Sequence, residues 1–333
     1  MAKDAVVEIL DSDLAEHPAA VAWCRVAPRS GAPNKITILK EKGHSRVYRL
    51  DGVGPNGTAV IAKLCRPGVS AIERRIYEDI LPSLPVTALR LYGVLEENGH
   101  AGEPTCWLFI EDAGDEQYSR LLDEHRALAG RWLGTLQTFT ARLHALAGLP
   151  DRSPNFYLGE LRALREAILH SLAYPTLTAD DLATLEAILA QCEVLESHWG
   201  EIDRFCDRMP RTLVHGDLAM KNTRIRATPA GNSLVVMDWE TAGWGVPAID
   251  LAQFTGRCVS PDLATYASVL PECWPGAANL VQMAELGRIF RMIVAMSWER
   301  EGLLSTYIQR PMRRMKVYQA NMAEYIRAIG WEN

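Results

Sequence analysis

The first third of the chain contains short apolar segments bounded by Gly, Pro and Asn, a pattern typical of β-strands joined by turns. The segments are rich in β-branched and aromatic residues. They predict strands at residues 35–39, 46–50, 58–64 and 105–110. Apolar positions spaced for one helical face in residues 70–81 (SAIERRIYEDIL) predict a single amphipathic helix between the third and fourth strands. We therefore expect this part of the chain to be a small β-rich region.

Further along the chain the apolar positions recur with a helical period. They predict helices at residues 124–149, 158–172, 178–199, 280–298 and 312–329. The third of these begins with T-A-D-D at Thr178, which resembles a capping box. The apolar runs beside HGD and DWE predict two short strands inserted among these helices. The fold class is predicted as α+β with two lobes, divided into an N-terminal extension at 1–34, a β-rich lobe at 35–112 and a helical lobe at 113–333.

Composition and charge narrow the range of partners. The chain has 333 residues, 48% of them hydrophobic, and a formal net charge of −6, which disfavours a nucleic-acid binder with a bulk basic surface. No apolar run approaches the length of a membrane span, and the acids scattered in the N-terminal segment do not fit a secretory signal. The seven cysteines form no C-x-x-C pair, which favours reduced thiols in the cytoplasm over a zinc ribbon or a thioredoxin-type site.

Polar residues end two neighbouring apolar runs, in LVHGDLAMKNTRI (213–225) and in LVVMDWE (234–240). In this setting Asp217 can act as a base toward a hydroxyl, whereas Asn222 and Asp238 can supply oxygen ligands to a divalent cation. Phosphoryl transfer needs these parts, because its catalysis is mostly positioning and neutralisation of charge. Magnesium suits such ligands and usually keeps substrate phosphates in its coordination shell. The two segments therefore predict magnesium-dependent phosphoryl transfer.

The pattern H-G-D-x-x-x-x-N followed by D-W-E resembles the aminoglycoside phosphotransferase and choline kinase family, a branch of the protein-kinase-like fold. The resemblance runs from about residue 36 to residue 325. It implies a two-lobed protein-kinase-like fold with ATP and Mg²⁺ as cofactors. It also implies that Asp217 is the catalytic aspartate, that Asn222 is a metal ligand, and that Asp238 corresponds to the metal-binding aspartate of the kinase D-F-G motif.

Residues before the catalytic segment match the nucleotide-binding part of the same family. The strand VIAKL carries Lys63 where the resemblance places the phosphate-binding lysine, and Glu73 fits the E-x-x-x-Y pattern of its ion-pair partner. The segment WLFIEDAG resembles the family's hinge between the lobes. There the resemblance implies that Glu111 offers its carbonyl and Ala113 its N–H group to adenine.

Two stretches depart from the family pattern. KGHSRVYRL contains one glycine instead of a glycine-rich loop, so the expected phosphate contacts are the backbone N–H groups of Gly43 and Ser45. The family often has Pro or Gly before the metal-binding Asn, whereas this chain has Met220 and Lys221. That loop varies in the family, and Lys221 adds a positive charge near the phosphates.

The predicted activity is transfer of the γ-phosphoryl group of ATP to a hydroxyl of a small molecule. An antibiotic as acceptor would make the protein a resistance or self-protection enzyme. One alternative is a metabolic kinase acting on choline, a sugar or an amino alcohol. Another is a nucleotide-binding scaffold without catalysis, which the presence of Lys63, Asp217 and Asp238 disfavours. His215 is interpreted as orienting the catalytic loop and Asp250 as bracing it.

The charge pattern gives conflicting indications about the acceptor. Acidic residues crowd one helical stretch: Asp180, Asp181, Glu186, Glu193, Glu196, Glu201, Asp203 and Asp207. Basic residues dominate the C-terminal region: Arg288, Arg291, Arg300, Arg310, Arg313, Arg314 and Lys316. The aromatic side chains of Trp298, Tyr307 and Tyr318 suit a less charged ring system. We therefore predict a neutral or singly charged acceptor rather than a polycationic aminoglycoside, and leave the oligomeric state and the choice between ATP and GTP open.

Overall fold

A computed structural model describes residues 8–10, 12–42, 45–98, 103–143, 148–174, 176–229, 231–274, 276–305 and 308–331. The chain divides into two compact units. The first unit comprises Met1–Gln117 and Asn222–Thr241, and the second comprises Tyr118–Lys221 and Ala242–Asn333. The lobe boundary expected at 112/113 stays a prediction, although the first unit also includes residues 113–117 and the segment 222–241.

The first unit is built on a six-stranded antiparallel sheet with the order β1-β2-β3-β4-β6-β5. The strands are β1 (Glu8–Leu10), β2 (Lys35–Lys42), β3 (Ser45–Asp51), β4 (Val60–Cys65), β5 (Leu91–Asn98) and β6 (Pro104–Glu111). The four predicted strands are confirmed as β2, β3, β4 and β6. The sequence analysis missed β5, because its half-buried residues (LYGVLEEN) show no clear alternation of apolar and polar positions.

The segment expected to be an N-terminal extension contributes to this unit. Strand β1 pairs with β2, and helix α1 (Pro18–Val26) packs against the sheet. Trp23 of α1 is buried in the same core as Leu50, and its ring lies 5.2 Å from that of Phe109. Helix α1 is therefore part of the hydrophobic core of the first unit, and Leu10 of β1 packs against that core.

Two further elements complete the first unit. The predicted amphipathic helix is confirmed as α2 (Pro67–Arg75), which continues as a π-helical turn at Ile76–Ile80 and a 3₁₀ turn at Leu81–Ser83. It begins three residues earlier than expected, because Pro67 suits the first position of a helix. Strands β9 (Thr223–Thr228) and β10 (Gly231–Val236) form an antiparallel hairpin.

The second unit is mostly helical. Its helices are α3 (Asp123–Thr140), α4 (Pro154–Ser171), α5 (Ala179–Ser197), α6 (Trp199–Cys206), α7 (Ala248–Leu251), α8 (Leu263–Ser268), α9 (Ala277–Ser297), α10 (Arg300–Leu303) and α11 (Gln309–Ala328). A small sheet has the order β7-β11-β8, formed by β7 (Asp151–Arg152), β11 (Gly243–Gly245) and β8 (Thr212–Val214). None of the helices in the described ranges is long and apolar enough to cross a membrane.

The helices α4, α9 and α11 begin three or four residues before the predicted starts, and two further predictions differ more at their ends. The capping box at Thr178 is confirmed, because its hydroxyl accepts the Asp181 N–H at 3.1 Å and the Asp181 side chain accepts the Thr178 N–H at 3.1 Å. The helix predicted at 178–199 ends at Ser197, however, and α6 follows after His198. The helix predicted at 124–149 ends at Thr140, and residues 144–147 of that prediction lie outside the described residues.

Close packing fixes α9 against α4 and α7. The rings of Tyr157 on α4 and Phe290 on α9 stack with their centroids 3.9 Å apart. A Cβ atom at Gly287 would lie 1.9 Å from the Ala248 carbonyl oxygen, so only glycine allows α9 to approach α7 this closely. This packing sets α9 beside the turn that begins at Ala248 and contains Asp250.

Candidate active site

The β9–β10 hairpin brings Asn222 and Asp238 to the same end of two neighbouring strands. Asn222 directly precedes β9, and Asp238 follows β10 by two residues. Because the strands are antiparallel, these two ends meet, and the Met237 N–H donates to the Asn222 carbonyl at 3.0 Å. Asp238 has a φ of +67°, a left-handed conformation that is uncommon outside glycine and is often found at functional sites. The two predicted metal ligands are therefore brought together, and their binding of a metal stays a prediction.

Lys63 is the centre of a buried charge cluster in the first unit. Its side chain is on β4, the residue is only 5% exposed, and its Nζ lies 3.0 Å from each carboxylate oxygen of Glu73 on α2. The same Nζ lies 2.5 Å from Asp238 Oδ1 and 3.6 Å from Glu240 Oε2. The expected Lys63–Glu73 ion pair is thus present. Glu240 was not predicted, although the last letter of D-W-E marked it as a second acid beside Asp238.

The charges of this cluster do not balance. Burial lowers the pKa of the Lys63 ammonium. The carboxylates of Glu73, Asp238 and Glu240 together raise it by more than burial lowers it, so its pKa lies above the usual value. Burial also raises the pKa of the Glu73 carboxyl, an effect that the Lys63 ammonium opposes. Three carboxylates face one ammonium group. A second cation near Asp238 and Glu240 would offset the surplus negative charge.

Lys63, Glu73 and Asp238 line one cleft of about 280 Å³ in the first unit. The other residues expected from the sequence that line it are Glu111, Ala113 and Asn222. Much of the remaining wall is apolar: Leu39, Val47, Ile61, Leu89, Ile110 and Met237. Apolar walls with a few convergent polar groups are typical of small-molecule sites. Ser45 is not among the residues that line the cleft, and Gly43 lies outside the described residues.

An arginine that the sequence analysis missed holds the hinge segment. Arg226 on β9 donates from Nη1 to Glu111 Oε1 and from Nη2 to the Asp112 carbonyl, both at 2.8 Å. Arg49 on β3 pairs with Asp112 Oδ2 at 2.9 Å. The alternation R-I-R in β9 places Arg224 and Arg226 on one face of the strand and was the available signal. These contacts keep the edge of the cleft at residues 111–114 in place.

The donors in the cleft fit magnesium rather than a softer metal. The side chains of Asn222 and Asp238 offer oxygen atoms, which Mg²⁺ prefers. Among the residues that the structure describes, no group of three or more His, Cys, Asp or Glu is arranged to hold a metal by itself. A metal here would therefore need phosphate oxygens and water as further ligands, which is the usual situation for Mg²⁺ at a nucleotide.

The second unit positions Asp217 on a braced loop. The Asp250 carboxylate accepts the His215 N–H at 2.7 Å and the Gly216 N–H at 3.1 Å, and Gly216 has a φ of +81°. Burial raises the pKa of the Asp250 carboxyl, whereas His215 and the two N–H donors oppose this rise. The Asp217 N–H donates to His215 Nδ1 at 3.3 Å. These contacts are the ones expected if Asp250 braces the loop and His215 orients it, and both roles stay predictions.

Asp217 itself contacts two cations. Its Oδ2 lies 2.9 Å from Lys221 Nζ, and its Oδ1 lies 3.4 Å from Arg291 Nη2. The residue is 9% exposed. Arg291 lies on α9, 74 residues further along the chain, and no local pattern in the sequence pointed to this contact. A carboxylate held in this way can accept a proton from a hydroxyl, and this role of Asp217 stays a prediction.

The sequence profile of the Phosphotransferase enzyme family matches residues 35–270 of the chain. The chain belongs to this family. The predicted class of enzyme, a phosphotransferase acting on a small molecule, is confirmed by the match. No match was found among curated proteins.

Solved structures of phosphotransferases share the fold of this family member. A microcompartment-associated aminopropanol kinase is 14% identical, with 94% of this chain and 99% of that chain covered and a TM-score of 0.61. Choline kinase from Cryptosporidium parvum is 11% identical, with 89% and 90% covered and a TM-score of 0.57. Spectinomycin phosphotransferase, solved with ADP and spectinomycin, is 10% identical, with 90% and 94% covered and a TM-score of 0.55. The predicted protein-kinase-like fold is thereby confirmed.

Proposed function

We propose that this phosphotransferase transfers the γ-phosphoryl group of ATP, with Mg²⁺, to a hydroxyl of a small molecule. The observation that carries the proposal is the cleft of the first unit, in which Lys63, Glu73, Asn222 and Asp238 converge. The ADP bound to the structurally similar spectinomycin phosphotransferase supports an adenine nucleotide as the donor.

Each residue of the cleft has a defined task in this proposal. Lys63, oriented by Glu73, binds the phosphates next to the one transferred, and the backbone at Glu111 and Ala113 takes adenine. Asn222 and Asp238 hold the metal ion, and bound magnesium supplies positive charge against the triphosphate. The surplus negative charge around Lys63 favours this arrangement, because a metal ion beside Asp238 would offset it.

Asp217 receives the acceptor in the proposed reaction. Its carboxylate orients the acceptor hydroxyl and takes the proton as the oxygen attacks phosphorus. Asp250 holds the loop through the backbone of His215 and Gly216, so the backbone that carries Asp217 is held in place before the acceptor binds. Such preorganisation is a large part of what a protein contributes to phosphoryl transfer.

Half of the acidic stretch that suggested a polycationic acceptor is paired with cations of the second unit. Its ion pairs join Asp180 and Asp181 to Lys316, Glu193 to Arg165, and Glu196 to Arg162 and Arg165. An acid already paired with a cation offers little net charge to a polyamine. This pairing supports the prediction of a neutral or singly charged acceptor.

The cysteines and the paired acids bear on the compartment and on the kind of acceptor. All seven cysteines are free thiols, which fits the cytoplasm expected from the sequence. An antibiotic and a metabolic alcohol both remain acceptors of the proposed class, and a neutral antibiotic fits the paired acids better than an aminoglycoside does.

The test is acceptor-dependent release of ADP from MgATP across neutral, anionic and cationic alcohols, with Asp217→Ala as the matched control. We expect ADP release that depends on both Mg²⁺ and the acceptor, and its loss in the variant. Binding of MgATP without turnover of any acceptor would contradict the proposal and favour the nucleotide-binding scaffold.

A further inference from the structure

Helix α9 exposes a single stripe of residues along its length. After its first turn, the incompletely buried positions recur every three or four residues: Val281, Gln282, Glu285, Arg288, Arg291, Val294, Ala295 and Trp298 at the C-terminal cap. The stripe passes the proposed catalytic base, because Arg291 Nη2 lies 3.4 Å from Asp217 Oδ1. Everything on this stripe within reach of Asp217 is therefore a candidate surface for the acceptor.

The half of the stripe before Arg291 is already occupied by its own charges. Arg288 pairs with Glu285 at 2.9 Å and with Glu324 at 3.0 Å, and its guanidinium lies 3.9 Å from the centroid of the Tyr325 ring. Glu285 and Glu324 thus both contact Arg288. This half therefore presents charged side chains that contact one another, and it offers little apolar surface to a ligand.

The half after Arg291 is apolar. Val294 and Ala295 are half-buried, whereas Trp298 is 57% exposed, a large value for such a big apolar side chain. Trp298 follows Arg291 by seven residues, which corresponds to about 10 Å along the helix and to the same helical face. A small molecule with its hydroxyl at Asp217 could extend over this distance to Trp298.

The acids beside this apolar surface are paired with cations. Glu299, the neighbour of Trp298, lies 2.6 Å from Arg314. Glu160 accepts a hydrogen bond from Ser297 and lies 3.0 Å from Arg300. An ammonium group placed here would meet Arg300 and Arg314 together with these acids, so the surface does not favour a cation.

Arg291 adds a positive charge where the reacting hydroxyl must lie. Its contacts with Asp217 Oδ1 and with the Leu218 carbonyl are both 3.4 Å, too long for strong hydrogen bonds. Oxygen atoms or a carboxylate on the acceptor would satisfy this guanidinium better, whereas an ammonium group next to the hydroxyl would be repelled by it and by Lys221.

We infer that the acceptor is a neutral or anionic alcohol with an apolar body, bound along α9 with its hydroxyl at Asp217 and its body on Val294, Ala295 and Trp298. The inference rests on the proposed function, since it takes Asp217 as the base. It makes Arg291 a specificity-determining residue that selects against an ammonium group beside the reacting hydroxyl.

Three alcohols with the same phenyl body provide the test: 3-phenyl-1-propanol (neutral), 3-phenyllactate (anionic) and phenylalaninol (cationic). Their dissociation constants are measured by calorimetry in the presence of MgADP, and their kcat/KM values by ADP release. We expect the neutral and anionic compounds to bind at least tenfold more tightly than phenylalaninol. Equal or tighter binding of phenylalaninol, or no binding of any of the three, would overturn the inference.

Variants separate the proposed surface from a general loss of structure. Trp298→Ala should weaken binding of 3-phenyl-1-propanol about tenfold, whereas Val281→Ala, at a 55% exposed position of the same helix, should leave it unchanged. Arg291→Gln should reduce the preference for 3-phenyl-1-propanol over phenylalaninol, a ratio that a merely structural role of Arg291 would not change. An unaltered ratio overturns the role of Arg291.

The outcome is distinguishable from failure of the proposed function. If MgATP does not bind, or no alcohol promotes release of ADP, the phosphotransferase proposal fails even if the apolar alcohols bind along α9. If ADP release occurs with choline or an aminoglycoside and not with the phenyl alcohols, the proposed function stands and only the assigned acceptor class is wrong.

Discussion

Lys63 in the first unit and Asp217 in the second unit are each surrounded by groups of opposite charge. Lys63 is a single ammonium group among the carboxylates of Glu73, Asp238 and Glu240. Asp217 is a single carboxylate between the cations of Lys221 and Arg291. The first cluster has surplus negative charge and the second has surplus positive charge when each is counted by these contacts alone.

The difference teaches what each cluster can bind. The acids around Lys63 favour an added cation, which suits a metal ion that arrives with a triphosphate. The cations around Asp217 disfavour an added cation, which argues against a polyamine at the acceptor hydroxyl. Phosphoryl transfer needs both properties, since the donor brings a metal and the acceptor brings a neutral hydroxyl.

The largest effect is expected from removal of the proposed base. Asp217→Ala should lower kcat by about 10²- to 10⁴-fold, the usual loss for a positioned base, while leaving the affinity for MgATP nearly intact. Kinetics with an accepted alcohol, together with calorimetry of nucleotide binding, measures both quantities. If Asp217→Ala kept more than about a tenth of the wild-type kcat, Asp217 would not be the base.

A somewhat smaller effect is expected from substitution of Lys63, the centre of the first charge cluster. Lys63→Ala should lower kcat by about 10²- to 10³-fold, as loss of a preorganised charge partner does, and should raise the KM for ATP less. Glu73→Gln should reproduce part of the defect, because Glu73 orients Lys63 at 3.0 Å without contacting the reacting atoms. Full activity of Glu73→Gln would show that Asp238 and Glu240, which also contact Lys63, are enough to orient it.

The need of the first cluster for a cation is tested by its metal ligands. Asp238→Asn should raise the magnesium concentration needed for half-maximal activity by about 10- to 100-fold, in the range seen when groups around a metal are mutated. It should also weaken ATP binding. Asn222→Ala should have the milder effect, because a neutral ligand contributes less charge. A magnesium titration that Asp238→Asn leaves unchanged would rule out this pair of ligands.

The smallest effect concerns the loop under Asp217. Asp250→Asn keeps the shape but replaces one acceptor with an N–H donor facing the backbone N–H groups of His215 and Gly216. Loss of such a buried hydrogen bond should lower the free energy of unfolding by about 1–3 kcal/mol, with part of kcat lost as well. Chemical denaturation measures the first change. Native stability and activity of Asp250→Asn would show that the loop holds its shape without this brace.

Local sequence patterns predicted the parts of the site that lie close along the chain. The Lys63 strand, the Glu73 helix and the polar ends of β9 and β10 follow from hydrophobic periodicity and from motif spacing. Helix capping at Thr178 was predicted for the same reason, since its partner Asp181 is three residues away. Interactions between residues close along the chain can therefore be predicted from the local sequence.

Contacts between distant segments could not be predicted in this way. Arg226 reaches Glu111 across 115 positions, and Arg291 reaches Asp217 across 74. Neither arginine belongs to a motif, and the alternation R-I-R in β9 marks a strand face for Arg226 without identifying its distant partner. Strand β1 and helix α1 were missed for a related reason, because their role depends on the sheet core that they cover. The second cluster therefore became visible only in the folded structure.

The most direct test of the account follows the phosphoryl group itself. Phosphorus NMR of MgATP with an accepted alcohol should show the γ-phosphorus signal of ATP replaced by the signal of a phosphate monoester. In Asp217→Ala the monoester signal should not appear. The opposite result would be release of inorganic phosphate alone, or monoester formation at the same rate in Asp217→Ala, and either would contradict the assignment of this protein as a phosphotransferase that uses Asp217 as its base.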